Sequence, residues 1–217
     1  MEYFFTVLGQ IGDGIWHSLI LFFLTLIFSM PLGLLVCWGR MSKFKPLALV
    51  TEFFISVLRG TPLMLQLVVV FFGPYYIFGI PVEAEWRFWA AVIGFSVNYS
   101  AYFAEIYRSG IESIPKGQFE AAKVLGYSTL QTFRKIIFPQ MIKRTLPPIT
   151  NEIITLTKDT SLAFVLAYTE MFTMAKQVAA AQSSITPLFV AGLMYYVFNL
   201  GIAFVMKWLE KRLSYYQ

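Results

Sequence analysis

Three carboxylates in this chain sit where carboxylates are costly. Glu105, Glu152 and Asp159 lie within long apolar runs, together with Arg59 and Lys158. Ionisable groups in such runs face a cavity, a partner or a substrate. At 100° per residue, Asn98, Tyr102 and Glu105 fall within about 60° of one another, and so do Glu152, Thr155 and Asp159, so each segment presents one polar face. The chemistry these groups offer is recognition by hydrogen bonds and charge. The one cysteine, Cys37, lies in an apolar run and reads as a packed thiol, and the one histidine, His17, stands beside Trp16 as an interfacial anchor. Neither gives the spacing of a metal site or a nucleophile with its base. No G-x-x-x-x-G-K-[ST] segment occurs, so the chain has no phosphate cradle with which to hydrolyse ATP itself.

The segments that carry these groups belong to a membrane protein. Hydrophobic residues are 58% of the 217, charged residues 13%, and mean hydropathy is +0.65, well above the apolar usage of soluble domains. A helix needs roughly 20 apolar residues to cross a bilayer core. Five stretches qualify: 15–39, 49–78, 87–109, 142–168 and 188–209. The expectation is an all-α integral membrane protein with five transmembrane helices, one domain over 1–217, and a cytoplasmic insert over about 110–141. With no basic region after Met1, the first span is expected to be retained rather than cleaved.

Thirteen of the 17 cations fall on one side of that arrangement. They follow span one (Arg40, Lys43, Lys45), fill the insert (Arg108 to Arg144) and end the chain (Lys207, Lys211, Arg212). The opposite loops carry chiefly Glu83, Glu85 and Glu170. The positive-inside rule then predicts an N-terminus outside and a C-terminus inside. A net charge of +5 and a pI near 9.3 are explained by this asymmetry and not by nucleic acid.

Within the insert, helical spacing predicts a short amphipathic helix from about Gly117, with Pro115 before it and Gly126 as its stop. A second helix is expected from Ser128 to Phe138. Periodicity alone fits a helix lying on the membrane or one docking to a partner. The residues themselves narrow this. Glu120-Ala121-Ala122 is followed by three residues and Gly126, then nine residues and Ile136-Ile137-Phe138-Pro139. This resembles the loop by which the membrane subunit of an ABC importer grips its ATPase, with Phe138 in place of a leucine. Around it stand Leu58-Arg59-Gly60-Thr61-Pro62-Leu63, Asn98 to Ile106, Ile114-Pro115-Lys116-Gly117-Gln118 and Lys158-Asp159-Thr160-Ser161-Leu162. Together they are similar to the permeases of bacterial polar-amino-acid ABC importers, of the type that takes up histidine, glutamine or arginine.

The resemblance implies a fold, a function and partners. The chain would be a transporter permease of the bacterial cytoplasmic membrane and no enzyme. It would work with two cytoplasmic ATPase subunits that bind ATP and Mg, a second permease subunit (a copy of itself or a close paralogue), and an extracytoplasmic substrate-binding protein. No cofactor is expected in this chain. Gly117, Glu120, Ala121, Ala122 and Gly126 would couple it to the ATPase. The midplane polar groups Asn98, Tyr102, Thr155, Asp159, Thr160 and Ser161, with Arg59, are the candidate substrate site, as discontinuous helices and midplane polar groups suggest in transporters. The plainer alternative is a structural network in which Asp159 pairs with Lys158 or Arg59. Carboxylates outnumber cations on the two polar faces, which favours an amino acid with a cationic side chain: arginine, lysine or histidine. A proton-coupled secondary transporter is the competing function, since buried carboxylates permit it.

Overall fold

The computed structural model describes residues 2–213, and these are helical nearly throughout. Helix α1 (Glu2–Arg40) is followed by α2 (Lys45–Gly60), α3 (Leu63–Phe78) and α4 (Trp86–Glu112). The insert holds α5 (Lys116–Val124) and a short α6 (Thr129–Thr132). A π turn (Phe133–Ile137) joins α6 to α7 (Phe138–Asp159). One 3-10 segment (Thr160–Leu166), α8 (Met171–Ala181) and α9 (Thr186–Leu213) complete the order.

Helix α4 is the centre. It packs along α1 and against α3 and α7, burying Phe95, Tyr99 and Phe103 with Leu21, Leu67 and Leu156. Lipid is as apolar as leucine, so such contacts depend on close packing rather than on exclusion of water. Gly33 on α1 shows how close: a Cβ there would lie 2.7 Å from the Cβ of Phe103 and 3.0 Å from the carbonyl oxygen of Ser100. Large apolar side chains elsewhere point outward, among them Phe53, Tyr76, Phe189 and Phe204.

Several expected boundaries are corrected. The span at 49–78 is two helices bent by 111°. Pro62 lacks an N–H, and it forces Thr61 into an extended conformation at φ −119 and ψ 149. The last carbonyls of α2 therefore lose their helical donors, and Gln66 supplies replacements. Its Nε2 donates to the carbonyl of Leu58 at 2.8 Å and to Thr61 Oγ1 at 2.8 Å, while Asn98 Nδ2 on α4 donates to Gln66 Oε1 at 2.9 Å and to the Leu58 carbonyl at 3.2 Å. Thr61 Oγ1 in turn donates to the Val57 carbonyl at 2.8 Å, and the chain can break here because three side chains, those of Thr61, Gln66 and Asn98, complete the hydrogen bonds that lipid cannot.

The second expected insert helix does not stop at Phe138. It runs through the π turn into α7 without a gap, so Ser128 to Asp159 is one rod. Ser128 begins it with a capping box: its Oγ accepts from Gln131 N–H, and Gln131 Oε1 accepts from Ser128 N–H at 2.9 Å. The span at 142–168 ends as an α-helix at Asp159 and tightens to 3-10. The loop expected before span five contains α8, capped by buried Glu170, which accepts from Phe172 N–H, Thr173 N–H, Thr173 Oγ1 and Tyr195 Oη. Eleven residues are too few to span a bilayer, so the apolarity reading passed α8 over. Helix α1 also starts well before residue 15, and Asp13 lies inside it. By length and apolarity α1 and α9 qualify as spans, with the bent α2–α3 pair as a third. Helices α4 and α7 have the length, at 27 and 22 residues, but carry the ionisable groups.

Replacing Gln66 with Leu should leave the Thr61 carbonyl without its side-chain donor at the bend, the Leu58 carbonyl with Asn98 alone, and the Asn98 amide without its acceptor on Gln66. The cost expected for stranded buried acceptors is about 1–3 kcal/mol. Thermal unfolding of the detergent-solubilised protein should register it as a lower midpoint, and an unchanged midpoint would show that the bend stands without Gln66.

Candidate functional site

The polar groups within the apolar body form two separate constellations. The first joins the end of α7 to the middle of α4. Tyr99, buried between helices, donates its hydroxyl to Asp159 Oδ2 at 2.8 Å. One turn further along α4, the Tyr102 ring lies 6.0 Å from that of Tyr99. The Arg59 guanidinium stands over Tyr102 at 5.3 Å from the ring centroid, and its Nη1 is 4.0 Å from Glu105 Oε2. Glu105 itself is held by Arg108, whose Nη2 approaches Oε2 at 2.7 Å, and Arg108 Nη1 reaches Glu112 at 2.6 Å. A chain of contacts thus runs from Asp159 to the far end of α4.

Arg59 is the loosest link in that chain. Glu105 has close, forked contacts with Arg108, whereas Arg59 touches it at the limit of an ion pair and is 44% exposed. A guanidinium has five N–H donors in a planar fork, and here the fork is held in place by a ring face and one distant carboxylate. It is placed to take a carboxylate. Glu152 lies in the electrostatic reach of both Arg59 and Asp159, so α7 contributes a second acid to the same region.

The seven expected substrate residues do not all meet. Arg59 and Tyr102 are in contact, and Asp159 joins them through Tyr99, a residue the helical-face reading did not include. Tyr99 is one position off the Asn98-Tyr102-Glu105 face. Its hydroxyl reaches across to α7, which periodicity along one helix does not show. Asn98 is elsewhere: it is 3% exposed, and its amide is committed to the α2–α3 bend. Thr160 is wholly buried and donates to the Thr157 carbonyl at 2.8 Å, while Ser161 donates to the Lys158 carbonyl at 2.7 Å, so both hydroxyls close the helical turns where α7 tightens. Thr155 is half-buried on the Glu152–Asp159 face. Lys158 is exposed and does not pair with Asp159, whose hydrogen bond is to Tyr99.

The depth expected for Arg59 from a continuous helix also changes. Since α2 ends at Gly60 and turns by 111°, Arg59 sits at a helix terminus beside the bend, and its level is set by Tyr102 and Glu105 of α4.

The second constellation is the insert. Helix α5 presents Gly117, Glu120, Ala121 and Val124 at i, i+3, i+4 and i+7, all exposed. Val124 is 87% exposed and Leu125 73%. These two apolar side chains, missing from the expected coupling set, show what kind of surface α5 offers. Ala122 points the other way and is 1% exposed, packed beneath the helix against its own chain. Gly126 has φ +77 and ends α5 by a left-handed turn, in which Tyr127 N–H reaches the Ala122 carbonyl at 3.0 Å and Gly126 N–H the Lys123 carbonyl at 3.1 Å. The glycine is required by the turn. The insert is tied to the body: Gln140 on α7 donates to Gln118 on α5, and Arg144 Nη1 donates to the Ser113 carbonyl at 2.6 Å.

Known proteins share this arrangement. The chain is 38% identical over 203 residues to the arginine transport system permease protein ArtQ of Bacillus subtilis, covering 93% of this chain and 91% of that one. It is 36% identical over 208 residues to the L-cystine transport system permease protein TcyB of the same organism, covering 95% and 87%. A crystal structure of an amino acid ABC transporter with histidines matches at 32% identity and a TM-score of 0.85, covering 94% of each chain. The proton-coupled alternative gains no support from these relatives. Residues 29–215 match the family described as the binding-protein-dependent transport system inner membrane component, and the chain belongs to that family.

Proposed function

We propose that this chain is the membrane subunit through which an amino acid with a cationic side chain passes in an ATP-driven importer. Asp159 and Arg59 would take part in holding the substrate, and α5 would dock on the ATPase. The observation that carries the reading is the exposed face of α5: an apolar and small-residue surface with one carboxylate, braced to α7, on a chain without a phosphate cradle. ATP hydrolysis falls to a separate subunit, where ATP and Mg are bound.

The partners follow from the family's name and from its relatives. An inner membrane component of a binding-protein-dependent system needs a substrate-binding protein outside and an ATPase inside. We place the N-terminus outside and the C-terminus inside, because the cations cluster just after α1 (Arg40, Lys43, Lys45), between Arg108 and Arg144, and at the end of α9 (Lys207, Lys211, Arg212). Two ATPase subunits and a second permease subunit, either this chain or a close paralogue, would complete the complex. In it, closure of the ATPase pair would move α5, and α7 would carry that motion to Asp159 and turn the pathway from one side to the other.

For the substrate, the balance of charge is the argument. Asp159, Glu152 and Glu105 face a region whose loosely held cation is Arg59. An amino acid with a cationic side chain supplies charge to the acids while its α-carboxylate meets the guanidinium fork. Of the two permease relatives above, the one named for arginine supports this choice and the one named for L-cystine does not.

Three outcomes are expected. Glu120→Lys and Val124→Asp should each leave the chain folded, because both side chains are exposed on α5, and should cut transport-coupled ATPase activity at least tenfold by inverting a contact charge or placing one in an apolar contact. Full coupled activity in both variants would remove α5 as the docking element. Cysteine-accessibility labelling should reach positions near Glu83 and Ser183 from outside and Lys116 and Lys211 only after permeabilisation; labelling of Lys211 in intact cells would reverse the orientation. Asp159→Asn keeps an oxygen that accepts from Tyr99, so stability and basal ATPase activity should hold while transport of arginine falls more than that of a neutral amino acid. Equal transport of both, at wild-type rates, would take Asp159 out of the substrate site.

A further inference from the structure

A cavity of about 780 Å³ opens between the end of α1 and the insert, within the size range of ligand sites. It lies away from the constellation of Asp159 and Arg59 and behind the exposed coupling face of α5. Its apolar side is formed by Trp38, Met41, Phe119 and Phe133, with the Trp38 ring edge-on to Phe133 at 6.2 Å between centroids. Lys123, Tyr127 and Thr129 form a polar side. The Lys135 ammonium stacks on Tyr127 at 5.7 Å, which adds a second cation next to the rim. No carboxylate is among the lining residues, and among the described residues Lys123 enters no ion pair.

The level of this cavity matters as much as its lining. Trp38 is half exposed and stands two residues before Arg40, where the apolar α1 ends and Lys43 and Lys45 follow. Tryptophan followed by cations marks the membrane–water interface. The apolar side of the cavity therefore faces the acyl region, and the polar side the headgroups. We infer that the cavity binds an anionic phospholipid of the cytoplasmic leaflet, with its phosphate on Lys123 and Lys135 and the upper part of an acyl chain against Trp38, Met41 and Phe119. A free anion would use only the cations and leave the aromatic side uncovered, whereas a zwitterionic lipid brings its own ammonium into a site that already holds cations and no carboxylate. An anionic lipid meets both sides. Since the site touches α5 from the face opposite the coupling surface, its occupant would brace the insert against α1. The leaflet named here rests on the orientation proposed above.

Native mass spectrometry of the purified full chain, released from micelles containing equal phosphatidylglycerol and phosphatidylcholine, tests the inference. The wild-type chain should retain phosphatidylglycerol preferentially, and Lys123→Gln should lower that preference about fivefold, the effect of one interfacial cation. Lys123→Arg should preserve it, Thr129→Trp should weaken it by narrowing the cavity beside Lys123, and Lys207→Gln on α9 should change nothing. Inorganic phosphate at a concentration equal to the lipid should not displace it. Equal retention of both lipids, an unchanged preference in Lys123→Gln and Thr129→Trp, or displacement by inorganic phosphate overturns the inference. Loss of the lipid on adding the ATPase subunits overturns it too, because the cavity is then part of the protein interface. The measurement needs neither transport nor orientation, so labelling of Lys211 from outside would reassign the leaflet and leave the lipid result standing.

Discussion

Lipid offers no hydrogen bonds, and that constraint decides where this chain may leave the helix. Each interruption in the apolar body is completed by side chains. At Thr61–Pro62 the freed carbonyls are met by Gln66, which is held in turn by Asn98 of α4. Between the 3-10 segment and α8, buried Glu170 receives two N–H groups and two hydroxyls. At the end of α7, Thr160 and Ser161 donate to carbonyls one turn back. The breaks in turn place the candidate site residues, since Arg59 is at the end of α2 because the helix stops there, and Asp159 is the last α-helical residue before the tightening.

This accounts for what the sequence showed and what it concealed. The all-helical class, the short first helix of the insert and the polar faces of α4 and α7 were legible, because composition and helical period record burial directly. The bracing role of Asn98 was not legible for a physical reason: a buried amide that braces a neighbouring helix break and one that waits for a substrate have the same position on the same face. Only the partner separates them, and Gln66 lies 32 residues away in the chain. Tyr99 was missed for the converse reason, as its value comes from α7. Ala122 belongs to the family's motif yet points inward, whereas Val124, outside the motif's fixed letters, is on the exposed face. A motif records the spacing that builds a helix and does not say which residues meet the partner.

The insert and the apolar body are mechanically one piece. Ser128 to Asp159 is a continuous rod, and Gln140 and Arg144 fasten α5 and the end of α4 to it. A force on α5 therefore reaches Asp159 through hydrogen-bonded helix and not through a flexible loop. The rod is less regular at two places: the π turn, where an i to i+5 turn holds one extra residue, and Pro147–Pro148 within α7, which give no N–H to the helical ladder. The π turn lies on the insert side of Gln140 and Arg144, so the side-chain ties from α5 and the end of α4 join the rod beyond it, on α7 itself.

The contrast between the two arginines of α2 and α4 bears on how such a force could matter. Arg108 is fixed at 2.7 Å and 2.6 Å between Glu105 and Glu112 on its own helix, so its contacts survive any rigid movement of α4. Arg59 meets Tyr102 and Glu105 across a helix boundary, at 5.3 Å and 4.0 Å. Coulomb energy falls with distance, and partly exposed pairs contribute about 1 kcal/mol or less. Small displacements of α2 against α4 thus change the surroundings of Arg59 while leaving Arg108 unaffected. A cation whose partners are loose and carried by another helix is the one whose affinity for a substrate carboxylate can differ between two arrangements of the same fold, and alternating access requires such a difference.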